Sequence, residues 1–223
     1  MVAAVLGDAW RVYRALWRRS VVVAGAVFLV IALADALASQ RTTAGTSLVS
    51  IVLALVGGLL VQGALVAVVR DLLEHRPLET TRAYYDRTRG RLGTLLGASI
   101  LYGIGVLIGF VLLLIPGLIA IARWALIVPL VVIEERGVGE AFARSSQLVR
   151  GRTGRVLLLV VVANVITGAV GFAIRAAFGF LPEFAAIWIG GTIASALAVP
   201  YEAHVLTVLY YRLTAPDRSI LPA

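Results

Sequence analysis

Four ionisable side chains, Asp35, Arg123, Glu202 and His204, sit inside runs of sequence that are otherwise apolar. A charge at mid-depth in hydrocarbon costs at least ~2.5–3.5 kcal/mol unless it is paired or wet, so such residues mark either buried ion pairs or paths for ions and protons. Counting ~1.5 Å per helical residue, Asp35 lies roughly 22 Å from the arginine-flanked start of its run, and Arg123 roughly 9 Å below the Pro116-Gly117 turn. Both come out at similar depth in the outer leaflet, so an Asp35–Arg123 pair fixing helix register is expected. Gln62 and Asn164 match in the same way nearer the inner surface, where an interhelical amide pair is worth about 0.6 kcal/mol. Glu202 and His204 follow Pro200, where a freed carbonyl and a carboxylate could bind a cation or take a proton. The simpler expectation is an inner-surface polar cluster of Glu202, His204, Glu134, Arg144, Arg150 and Arg152, with Glu202 meeting one of the three arginines.

Other chemistry is sparse. The absence of Cys excludes disulfides, thiolate zinc sites and Cys nucleophiles. With two His in the whole chain, no metal and no cofactor are expected. Ser195 and His204 are nine residues apart on one helix, ~13 Å along its axis, and cannot form a nucleophilic dyad. Acid–base chemistry by Glu134, Glu135 and Glu202 has no motif behind it, so a non-catalytic protein is expected.

The elements that must carry these residues follow from composition. The chain is 61% hydrophobic and 14% charged, with mean hydropathy +0.97, which points to lipid as its solvent. Runs near 20–39, 45–69, 92–114, 117–133, 156–174 and 184–209 are apolar enough to span, given about 20 residues per crossing. Each must be helical, because unpaired amides in lipid are too costly and the period-two alternation of a closed barrel is absent. The fold expected is all-α, a polytopic integral membrane protein forming a single membrane domain over 1–223. "ALADALAS" also resembles a signal-peptidase site after Ala38. The long aromatic flank with Trp10, Tyr13 and Trp17 is unlike a short basic leader, and the first span is retained.

All 20 basic residues are Arg, giving a net charge of +8. They cluster before the first run, between the second and third, between the fourth and fifth, and after the sixth. The opposite side receives only Arg41 and Arg175. By the positive-inside rule both termini are cytoplasmic, in a bacterial inner membrane. Nucleic acid is not expected as a partner. Anionic lipid headgroups are, because Arg beside them gains roughly 1 kcal/mol each, and a membrane-protein partner or a second copy stays open.

Aligning Gly7 with Gly139 pairs Asp8 with Glu140, Trp10 with Phe142, Leu16 with Leu148 and Arg18 with Arg150. A weaker copy begins at Glu79, with Tyr84 opposite Tyr13 and Arg89 opposite Arg18. A unit of one amphipathic helix plus one helical hairpin thus recurs with a period of about 60 to 70 residues. The units are 1–69, 70–133 and 134–213, with amphipathic helices at 2–19, 78–90 and 138–150. In the first, Val2, Val5, Leu6, Ala9, Val12, Tyr13, Leu16 and Trp17 share one face, and Asp8, Arg11, Arg14 and Arg18 the other. That helix is expected flat in the interface, with Arg11, Arg14, Arg18 and Arg19 on phosphates. In the last, Val138, Phe142, Ser145 and Val149 face away from Glu140, Arg144 and Gln147. It suits the bundle floor equally well.

The order Pro116-Gly117, Arg123, Pro129, Glu134, Ala141, Ser145, Leu148, Gly151 and then the Tyr-rich "VPYEAHVLTVLYYRL" resembles the bacterial membrane-domain family named after the membrane part of glycerophosphoryl diester phosphodiesterases. The likeness runs from about residue 70 onward and implies a stand-alone membrane part. Only a short tail follows the last run, so the enzymatic half of the family name is not expected to transfer. Two functions remain open: a scaffold or accessory binding headgroups or a partner through its basic face, and a transporter or channel using Asp35, Arg123, Glu202 and His204. Like-oriented repeats favour the first, since many transporters invert theirs.

Overall fold

The computed structural model describes residues 1–40 and 44–215, and among them the chain is helical with no strand. In order come α1 (Val2–Ser39), α2 (Ala44–Leu73), α3 (Thr81–Arg89), α4 (Leu92–Leu112) and α5 (Leu114–Arg123). They are followed by α6 (Ile127–Ile133), α7 (Val138–Val149), α8 (Thr153–Ala177), the short α9 (Glu183–Ala185), a π turn Ala186–Gly190, and α10 (Gly191–Thr214). Six stretches are long and apolar enough to cross a membrane: Val2–Ser39, Leu48–Leu73, Leu92–Leu112, Leu114–Ile133, Thr153–Ala177 and Glu183–Thr214.

The first expected boundary is absent. Residues 2–19 and 20–39 form one 38-residue helix, because a fall in hydropathy does not end a helix and no Pro or Gly stands between Asp8 and Ala24. Its apolar face does not lie free for lipid: Val5, Ala9, Val12 and Leu16 are buried in the core, where α1 packs along α10. Trp10 and Trp17 remain half exposed on its outer side.

The fourth span differs too. It begins at Leu114 rather than 117, and it is interrupted at Trp124–Leu126 between α5 and α6. Pro129 explains the break, since it has no N–H to bond the carbonyl of Ala125 and its ring crowds that carbonyl. Ser145 of α7 fills the gap: its hydroxyl donates to the Arg123 carbonyl at 2.6 Å and accepts the Leu126 N–H at 3.3 Å. Pro116 and Gly117 do not make the turn between spans. They lie in the first turn of α5, and the connection is the single extended residue Leu113 (φ −168°, ψ 154°). So tight a connection presses the helices together at two glycines, where a Cβ on Gly109 would stand 2.8 Å from the Gly117 Cα.

α10 is the hub, packing on α1, α2 and α8. α3 lies along α2 at Gly63, where an added Cβ would meet Thr88 Cγ2 at 2.4 Å. The core gathers at the arginine-rich end, with Val12, Leu65, Tyr84, Leu130 and Leu209 fully buried. Toward the other end Leu53, Leu107, Val111, Val165 and Phe172 stay exposed. Apolar surface on that scale is what a hydrocarbon solvent tolerates and water does not.

Candidate functional site

Three consecutive residues at the end of α10 each hold a carboxylate from a different part of the chain. Tyr210 donates to Glu134 Oε1 at 3.0 Å, Tyr211 donates to Glu74 Oε1 at 2.7 Å, and Arg212 Nε donates to Asp8 Oδ2 at 3.1 Å. Asp8 also takes Arg11, and its side chain is 3% exposed. Its sequence-based place on the outer face with Arg11, Arg14 and Arg18 is therefore corrected: helical spacing assigned it to arginines, whereas packing on α10 turned it inward. Asp71, equally buried, is held by Arg70 at 3.1 Å with Arg87 at 3.8 Å. Glu134 also meets Arg136 at 3.1 Å and Arg144 at 3.5 Å.

α3 closes this layer on one side. Thr80 caps it by accepting the Ala83 N–H, the Tyr84 hydroxyl accepts the Glu79 N–H at 3.0 Å, and the Tyr85 hydroxyl donates to the Val23 carbonyl. Burial raises the Tyr84 phenol, with the Asp71 carboxylate adding to the shift, and burial pushes Tyr85 up to about 12. Arg19 reaches the Glu79 carbonyl at 2.8 Å.

With Asp8, Asp71, Glu74 and Glu134 drawn in, several arginines are left outside without a partner among the described residues. Arg14, Arg18, Arg150, Arg152 and Arg155 are exposed and form no ion pair among the described residues. Arg14 lies 6.0 Å from the Trp10 ring centroid and Arg18 5.6 Å from that of Trp17.

Deeper in the bundle a half-open cavity of 620 Å³ lies among α2, α4, α5, α6, α8 and α10. Gln62, Ser99, Tyr102, Asn164 and Glu202 are its polar lining, and most of its wall is apolar, including Leu118, Trp124 and Val161. Gln62 and Asn164 thus share one wall, although the Asn164 amide donates to Val160 of its own helix at 2.9 Å. Glu202 faces this cavity and pairs with none of Arg144, Arg150 or Arg152. The inner-surface cluster is corrected accordingly, because the rotation of α10 that aims Tyr210, Tyr211 and Arg212 at the acids turns Glu202 the other way.

Residues 85–215 match the family model described as "Domain of unknown function (DUF7847)", more than half of the chain. The chain belongs to that family. No curated protein matches it, and neither does a solved structure. The family stretch contains Glu134, Ser145, Glu202 and the Tyr210–Arg212 triplet, while Asp8, Gln62 and Glu74 lie before it.

The remaining sequence candidates separate within this family member. Asp35 is not paired with Arg123 among the described residues. It is exposed and shares a recess of 390 Å³ with Arg175, while Arg123 is exposed on α5, which is not a packed neighbour of α1. Depth alone suggested the pair, and depth carries no information about which helices are adjacent. His204 is fully buried, its Nε2 3.2 Å from Ser20 Oγ, with no hydrogen-bond partner for Nδ1 among the described residues. Sequence reasoning missed Tyr210, Tyr211, Arg212 and Glu74. The Tyr-Tyr-Arg run closing an apolar helix was the available signal.

Proposed function

We propose that this chain is a non-catalytic integral membrane protein of six spans, with its arginine-rich end in the cytoplasm of a bacterial cell, where that end binds anionic lipid headgroups. One observation carries the reading: Asp8, Asp71, Glu74 and Glu134 at that end are turned into the bundle, while Arg14, Arg18, Arg150, Arg152 and Arg155 stay exposed and unpaired among the described residues, Arg14 and Arg18 beside half-exposed tryptophans. A net positive layer next to interfacial indoles is the electrostatic and amphipathic match for phosphates at a bilayer surface. The three-unit organisation is supported by the Tyr210–Arg212 triplet, which takes one acid from each of 1–69, 70–133 and 134–213. α3 and α7, each leading into a span, favour it as well. The likeness to the glycerophosphoryl diester phosphodiesterase membrane domain belongs to this proposal without its enzymatic part.

The alternative, a transporter lined by Asp35, Arg123, Glu202 and His204, draws no support from the geometry, since the four occupy four separate environments. The test is lipid retention. Protein purified from nanodiscs of mixed zwitterionic and anionic lipid should keep anionic lipid selectively by native mass spectrometry. The combined Arg11→Gln, Arg14→Gln, Arg18→Gln and Arg19→Gln variant should lose that selectivity, and equal retention of both lipids by the unaltered protein would overturn the reading.

A further inference from the structure

The cavity beside Glu202 has no part in the basic surface. Its 620 Å³ falls within the range of small-molecule sites, about 300–1,000 Å³, and its composition has their form, mostly apolar with a few convergent polar groups. Glu202 is the only charged side chain in its described lining, and it has no cationic partner among the described residues. An unpaired carboxylate in a low-dielectric wall favours a ligand that brings the opposite charge, because such a partner offsets the cost of keeping the carboxylate ionised. Trp124 and Tyr102 stand in the same wall, 6.4 Å apart and edge to face, and aromatic faces add attraction for a cation within about 6 Å. We infer that this cavity is a binding site for a lipophilic organic cation, its apolar body against Leu118, Val161 and Leu206 and its charge at Glu202.

The site is distinct from the headgroup surface, so either proposal can fail without the other. Its probes are tetraphenylphosphonium and tetraphenylborate, two ions of nearly one shape and opposite charge. The full chain is placed in zwitterionic nanodiscs, and binding is measured by equilibrium dialysis against lipid-only discs. The phosphonium should bind saturably above the lipid background and the borate should not. Glu202→Gln should weaken phosphonium binding about tenfold or more. Val161→Trp, which fills the cavity and leaves the carboxylate in place, should abolish it. Equal binding of the two ions, or undiminished binding by Glu202→Gln, overturns the inference. So does a neutral lipid that co-purifies in equal amount with the unaltered protein and with Glu202→Gln and blocks the phosphonium. The comparison of the two ions on the unaltered chain needs no variant to fold.

Discussion

Tyr211 donates a hydrogen bond from its hydroxyl to Glu74 Oε1 across 2.7 Å, joining residues 137 positions apart. Its neighbours do the same for Glu134 and Asp8, so the last turns of α10 gather carboxylates from the start, middle and later part of the chain. Each of these acids would otherwise be a poorly solvated charge beside apolar helices. Fixing them with consecutive residues of one helix also fixes that helix's rotation.

Arg212→Ala should destabilise the protein. Truncating one partner of a hydrogen-bonded charge pair costs about 2–5 kcal/mol. Arg212 is 36% exposed and Arg11 still reaches Asp8, so the effect should fall at the lower end. Thermal unfolding in detergent reads it, and Asp8→Asn combined with Arg212→Ala should cost less than the two added together.

Ser145→Ala removes the only side chain that, among the described residues, bonds both ends of the α5–α6 break. Leaving the buried Leu126 N–H and the part-buried Arg123 carbonyl without that partner should cost about 1–3 kcal/mol. In a Pro129→Ala background the N–H returns and the helix can close by itself. The Ser145→Ala loss should then shrink, giving a coupling of roughly 0.5–3 kcal/mol in a double-mutant cycle. Simple additivity would show that Pro129 does not cause the break.

Gly63→Ala should force α3 off α2, because the new methyl would stand 2.4 Å from Thr88 Cγ2. Overpacking of this kind costs about 1–3 kcal/mol. Faster trypsin cleavage at Arg87 or Arg89 is the expected readout. Thr88→Ser, which keeps the hydroxyl bonded to the Tyr84 carbonyl at 2.9 Å and removes the methyl, should restore resistance.

The chain contains no Cys, so Ser146→Cys is the sole thiol in its variant. In the proposed orientation α7 is cytoplasmic, and an impermeant maleimide should label it in broken cells and leave it untouched in intact ones. Labelling in intact cells would reverse the orientation.

The sequence by itself determined the helices and the sorting of charge. Length and hydropathy require backbone-satisfied spans in hydrocarbon, and six helices of that kind are present. α3 runs over Thr81–Arg89 and α7 over Val138–Val149, where the repeat alignment placed helices at 78–90 and 138–150. Tertiary structure alone decided which way each helix is turned. α2, α4, α8 and α10 are apolar on nearly every side, so periodicity gives almost no rotational phase, and depth was the only coordinate left for Asp35, Arg123 and Glu202. Depth ranks residues along a span but does not choose neighbours. The choice was made by interhelical contact: Pro129 opened a gap that Ser145 fills, Arg212 drew Asp8 inward, and the rotation that satisfied three acids left Glu202 facing a cavity.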